Sequence, residues 1–178
     1  MGNVLRGLFA LLFGLVCWAT ASTGHAYEDQ FGVAIDATYG RVLPDSTRPD
    51  GALIGLTTSL GLDDTWTTRL RLAYGAHPAT DDNPETLQVG LGSVELLYLF
   101  DILEWVPYFG AGVDVMSLNE SDGFSVEPGG HLAAGLDWLP TRDLVFGLDL
   151  RALTVVSLLD ERPFYLAFTV SAGWLFPL

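Results

Sequence analysis

Apolar residues recur at every second position over eight separate stretches of the chain, a period that predicts β-strands. Gln30 to Tyr39 places Phe31, Val33, Ile35, Ala37 and Tyr39 on one face, with Asp36 and Thr38 opposite. Ala52 to Leu62 sets Ile54, Leu56, Thr58, Leu60 and Leu62 against Gly55, Thr57, Ser59 and Gly61. Thr65 to Gly75 sets Trp66, Leu70, Leu72 and Tyr74 against Arg69, Arg71 and Ala73. Glu85 to Phe100 begins with Leu87, Val89 and Leu91 in phase, then continues with Val94, Leu96, Tyr98 and Phe100 one position later. That shift predicts a bulge near Gly92-Ser93. Trp105 to Leu118, Gly130 to Leu139 and Arg142 to Val156 alternate in the same way, and Pro163 to Leu178 carries the pattern to the last residue.

The segments between these stretches alternate in length. If Tyr27 starts on the inner side, the outward connections are Arg41–Gly51, Ala76–Pro84, Asn119–Gly129 and Ser157–Arg162, polar and rich in Pro, Asp, Ser and Gly. The inward ones are short: Asp63-Asp64, Asp101–Glu104 and Pro140-Thr141. Short turns at one end, longer loops at the other and an even number of strands describe an antiparallel up-and-down barrel that crosses a bacterial outer membrane. Trp66, Trp105, Trp138 and Trp174 all fall at the inner ends, with Phe31, Phe100 and Phe176 at similar depth. Tyr39, Tyr74 and Phe164 fall at the other rim, giving the two aromatic bands of a membrane-spanning element.

A soluble barrel with an apolar pocket shows the same period. Three features decide for the membrane: the apolar closing strand, the aromatic bands, and a polar face made mostly of Gly, Ala, Ser and Thr rather than the charged coat of a wetted surface. Composition agrees. The chain has 178 residues, enough for one domain, and is 49% hydrophobic with 20 glycines, yet beyond the N-terminus no apolar run is long enough for a membrane helix. The fold expected is an all-β, eight-stranded antiparallel transmembrane barrel over residues 27–178. Residues 1–26 read as a cleaved secretory signal: Arg6, an apolar run from Leu8 to Ala19, then the small residues Gly24 and Ala26 for cleavage before Tyr27, with Ala21 as a second cleavage position. The single cysteine, Cys17, lies inside that segment, so neither a disulfide nor thiol chemistry is expected.

Formal net charge is −14, with 22 acidic residues against 8 basic ones, every one of them Arg. That balance excludes nucleic acid as a partner. Arginine facing lipid near the bilayer midplane costs roughly 2–4 kcal/mol, so Arg69, Arg71 and Arg151 are expected to point into the lumen. Asp36, Asp114, His131, Asp137 and Asp149 share their face, and Glu95 joins them depending on the bulge. An eight-stranded interior is only wide enough to be filled by side chains, so these groups are expected to form a salt-bridged plug. The alternative is a narrow ion path. Asn119-Glu120-Ser121-Asp122-Gly123 with Glu127 resembles part of a calcium loop but lacks the ligand spacing of an EF-hand; no metal or other cofactor is expected.

Ser171, Gly173, Phe176 and Leu178 resemble the C-terminal assembly signal of outer-membrane barrels, with Leu in place of the usual terminal Phe. Val106-Pro107-Tyr108-Phe109-Gly110-Ala111-Gly112-Val113 resembles the Pro-Tyr-x-Gly-Ala-Gly strand of small outer-membrane barrels. Together these make the chain similar to the outer-membrane protein A/X and W superfamily across Tyr27 to Leu178. The resemblance implies a Gram-negative outer membrane, contact with its lipid and lipopolysaccharide, and recognition by the barrel-assembly machinery. It implies a structural or surface-interaction role through acidic loops, with the extracellular ligand unspecified. Lipid A deacylases share the architecture and carry a Ser two positions after a His. Here Ala133 follows His131 at that spacing, so no enzyme activity is expected.

Overall fold

The computed structural model describes residues 30–43, 50–79, 81, 84–100, 104–120, 123–155 and 164–178. The expected signal segment and its cleavage positions lie outside the described residues. Eight strands follow one another in chain order: β1 (Gln30–Leu43), β2 (Gly51–Gly61), β3 (Trp66–His77), β4 (Leu87–Leu99), β5 (Trp105–Glu120), β6 (Gly123–Trp138), β7 (Leu144–Val155) and β8 (Phe164–Pro177). Each pairs antiparallel with the next, and β1 pairs with β8 from Gln30↔Pro177 to Leu43↔Phe164, which closes the barrel. Closure leaves no strand edge unpaired, the condition for carrying a sheet through hydrocarbon.

Burial follows the period of two. The outward face is apolar and exposed, with Ile35 62%, Ile54 67%, Val113 66% and Leu132 68% accessible. Such a continuous apolar surface suits lipid rather than water. Trp105 stacks on Trp138 at 5.6 Å between ring centroids, Trp138 stacks on Phe146, and Trp66 meets Tyr98 edge-on at 5.2 Å. These outward rings and Trp174, which pairs with Leu144, lie at the short-turn end. Tyr39, Tyr74 and Phe164 are exposed toward the other rim. There Tyr39 donates to Asp50, and Tyr74 donates to Gln88 at 3.0 Å.

Two expectations are corrected. β4 has no bulge: its register runs unbroken from Trp66↔Tyr98 to His77↔Leu87 on one side and from Gln88↔Asn119 to Leu99↔Tyr108 on the other. Leu87, Val89 and Leu91 therefore face inward and are buried, and Glu95 faces inward with them. What reads as a phase shift is a continuous strand whose inner face changes from apolar to polar and back. The connection expected over Asn119–Gly129 is largely strand, because β5 and β6 pair as far as Glu120↔Gly123. Gly123 has a φ of 146°, a conformation that favours glycine at this tip.

The inner turns extend the ladders, as in Leu62 N–H donating to Trp66 O at 2.8 Å and Leu139 N–H to Glu104 O at 2.8 Å. Asp63 organises the first. Its Oδ1 accepts from Thr65 N–H at 2.7 Å, Thr65 Oγ1 at 2.9 Å and Trp66 N–H at 2.7 Å. The Thr65 backbone and hydroxyl donors hold the carboxyl below its ordinary range. A depressed carboxylate stabilises the fold above its unfolded pKa, and the contribution is lost as pH falls through the folded value. Asp63→Ala is expected to lower the urea unfolding midpoint at neutral pH and to leave it nearly unchanged in strong acid. The whole protein in an unboiled gel sample should run as a compact band that slows on boiling; identical mobility before and after heating would contradict the closed barrel.

Candidate functional site in the lumen

Inward side chains form three layers along the barrel axis. Nearest the long connections is an apolar cluster that includes Leu53, Leu87, Val89, Leu91, Met116, Leu153 and Tyr165. Nearest the short turns are Leu97, Leu99, Val106, Tyr108 and Ala133, with Leu139 packed against them. Between the two lies a belt of charge.

In that belt Asp114, His131, Glu95, Arg151, Asp149, Arg71 and Asp36 are joined in sequence. His131 Nδ1 lies 2.9 Å from both carboxylate oxygens of Asp114, and its Nε2 lies 2.9 Å from Glu95 Oε2. Both ring nitrogens are thus engaged by carboxylate oxygens. Arg151 donates from Nη2 to Glu95 Oε1 at 2.6 Å and from Nε to Asp149 Oδ1 at 2.6 Å. Its Nη1 reaches Ser93 Oγ at 3.3 Å. Arg71 lies 3.3 Å from Asp149 Oδ1 and 3.0 Å from Asp36 Oδ2. Thr57 donates to the same Asp36 oxygen at 2.5 Å and accepts from Arg71 Nε at 2.9 Å.

Arg69 and Asp137, the remaining lumen residues singled out from the sequence, form a pair of their own at 2.5 Å. Arg69 also lies over the Tyr108 ring, 4.4 Å from its centroid, while Tyr108 Oη donates to Asp149 Oδ2 at 3.0 Å. Arg151 is 0% exposed, Asp36 1% and Glu95 2%. Such burial is tolerable only because every charge meets an opposite one at hydrogen-bonding distance.

Small inner-face residues make room for these large ones. A Cβ on Gly112 would lie 2.5 Å from His131 Cε1 and 2.4 Å from Val94 O. A Cβ on Gly135 would lie 2.3 Å from the Tyr108 ring, which covers that glycine from the neighbouring strand.

Several participants are not evident from the charges alone. Thr57, Ser93 and Tyr108 complete the belt, while Thr38 and Thr169 share a buried hydrogen bond of 2.9 Å. His77 lies buried near the long-connection end, 3.1 Å from Tyr165 Oη. Counting by twos from Arg69 and Arg71 places His77 on the inner face, the signal by which it was legible. The four tryptophans Trp66, Trp105, Trp138 and Trp174 point outward, away from this site. In β8, Ser171 and Gly173 lie on the inner side, whereas Phe176 and Leu178 are exposed. Among the described residues, no group of three His, Cys, Asp or Glu side chains is arranged to hold a metal ion.

Arg151→Met removes the counterion of Glu95 and Asp149 together, and is expected to destabilise the folded barrel by about 3–5 kcal/mol. Arg142→Met in the exposed inner turn should change stability by less than about 0.5 kcal/mol. Urea titration of the refolded variants in detergent measures both; equal midpoints would contradict the pairing described here.

No family model matches the chain, and no curated protein is similar to it. Solved structures share its fold at low sequence identity. Neisserial surface protein A is 12% identical with a TM-score of 0.61, covering 84% of this chain and 96% of its own. The N-terminal barrel of Pseudomonas aeruginosa OprF is 19% identical with a TM-score of 0.57, over 84% and 98%. The outer membrane enzyme PagL is 14% identical with a TM-score of 0.53, over 82% and 99%. One architecture thus serves both an outer membrane enzyme and a surface protein, and the fold does not choose among activities. With its apolar outward band and its aromatic rims, this chain has the fold of those small eight-stranded transmembrane β-barrels.

Proposed function

We propose that the protein is a non-conducting, non-enzymatic outer-membrane barrel that acts at the cell surface through its acidic outer connections. The observation that carries this reading is the layered interior. A paired-charge belt spans the lumen, and apolar side chains pack on each side of it. An ion crossing that path would have to break buried pairs and pass the apolar layer nearest the long connections, both costly in low dielectric.

The same arrangement argues against lipid hydrolysis at His131. Its ring is enclosed in the lumen, both nitrogens are engaged by carboxylates, and Ala133 occupies the neighbouring inner-face position. With both nitrogens turned to carboxylates, neither is free to act as a base toward a substrate. The acyl chains of a lipid lie outside the barrel wall.

The outer connections supply a different chemistry. Asp81, Asp82 and Glu85 lie between β3 and β4, Asp122 between β5 and β6, and Asp160 and Glu161 between β7 and β8. Acidic loops attract cationic surfaces and repel polyanions, with a range set by salt. The partner expected is therefore a basic protein surface.

Planar lipid bilayers test the first half of the reading. The purified barrel should give no discrete current steps; reproducible unitary conductance that changes with Arg151 or Arg69 substitution would overturn it. For the second half, the barrel in nanodiscs should bind immobilised polylysine but not heparin at low salt. Replacing Asp81, Asp82, Asp160 and Glu161 by their amides should abolish that binding.

A further inference from the structure

The two halves of the lumen are packed differently. Toward the long connections, apolar inward side chains are buried around the wall: Leu53 on β2, Leu91 on β4, Met116 on β5, Leu153 on β7 and Tyr165 on β8. Toward the short turns, the second apolar cluster draws only on β4, β5 and β6, with Leu139 packed against it. The opposite wall carries small or polar inward residues. Ala34 on β1, Ser59 on β2 and Ser171 on β8 are only half-buried there.

A cavity of about 50 Å³ runs along that wall. Its deep end lies beside Thr57 and Arg71 in the charge belt, and its other end reaches Leu99 and Leu175. Those two residues mark the level of the short turns, because Leu99 N–H donates to Thr65 O at 2.7 Å and Leu175 N–H to Asp143 O at 2.8 Å. The ion pairs carry the same asymmetry. Arg69 and Asp137, which line the cavity, keep 11% and 13% of their side-chain surface exposed. The other paired side chains of the belt keep between 0% and 4%.

We infer that the lumen is a one-ended vestibule, open at the short turns along the β1, β2 and β8 wall and closed at the charge belt. It admits water and small uncharged solutes that form hydrogen bonds. Ser59, Thr67 and Ser171 offer hydroxyl groups to them, and each guanidinium that lines the cavity is answered by a carboxylate. Neither a cation nor an anion is therefore favoured. The volume suits about three to five waters, at roughly 10–15 Å³ for each on this measure. The vestibule also places the barrier to conduction in the belt and the apolar layer beyond it. A lumen sealed at both ends and one open at a single end carry equally little current; side-chain accessibility separates them.

Single cysteines read the vestibule directly. The whole refolded barrel, with Cys17→Ser as background, is treated in neutral detergent with methyl methanethiosulfonate, a small uncharged thiol reagent that meets both ends of the lumen. Ser171→Cys and Ser59→Cys should react on the order of a hundredfold faster than Ala167→Cys, a position on the same face of β8 that is 2% exposed. Ala133→Cys, on the packed β6 wall, should be as slow as Ala167→Cys. All four should react alike once unfolded in urea. Slow labelling of both Ser171→Cys and Ser59→Cys would overturn the opening. Fast labelling of Ala167→Cys would overturn the closed end, and fast labelling of Ala133→Cys the restriction to one wall. Should Ser171→Cys fail to give the compact unboiled band, Ser59→Cys on β2 carries the comparison.

Discussion

Charge that is enclosed in a barrel must be matched inside the barrel. An eight-stranded wall leaves an interior about one side chain deep, and this chain places carboxylates, guanidiniums and an imidazole within it. Each is shielded from solvent, so each is stable only beside a partner. The consequence is a chain of contacts from Asp114 through His131, Glu95, Arg151 and Asp149 to Arg71 and Asp36. It ties β1, β3, β4, β5, β6 and β7 across the lumen. Apolar side chains pack toward both ends of the lumen, and the layer nearest the long connections separates those contacts from the outer end.

Volume enforces the same arrangement. Long side chains fit a narrow lumen only where the wall beside them is bare, which explains why glycine accumulates on the inner face. Gly112 yields to His131, and Gly135 to the Tyr108 ring. Beside Asp36 and Ser171 the packing leaves a cavity of about 50 Å³. Polarity on the inner face and apolarity on the outer are therefore two results of one alternation, with the membrane as the outer solvent and the belt as the inner one.

Much of this was legible in the sequence, because a period of two assigns each residue of a strand to one face. The parity of Arg69, Arg71, Arg151, Asp36 and His131 places them together, and the cost of arginine in lipid says which face is inside. β4 shows where the reading stops. Leu87, Val89 and Leu91 look lipid-facing because they are apolar, yet they line the lumen and seal its outer layer. Hydrophobicity does not distinguish lipid from a packed interior; only the unbroken register does. The extension of β5 and β6 to Glu120 and Gly123 was missed for a related reason: Gly, Ser, Pro and Glu weaken local strand preference, and pairing across the hairpin overrides it. Which carboxylate meets which arginine depends on register across several strands, so it is invisible to a reading that takes one strand at a time.

A double-mutant cycle on Glu95 and Arg151 examines the central claim most directly, with stability in detergent measured for the wild-type protein, Glu95→Gln, Arg151→Met and the double variant. Paired burial predicts that each single substitution is strongly destabilising and that the double variant loses less than their sum, with a coupling of at least about 1–3 kcal/mol. Additive losses within about 0.5 kcal/mol would contradict it, because the two groups would then be stabilised independently of each other and the belt would not be the element that holds the interior together.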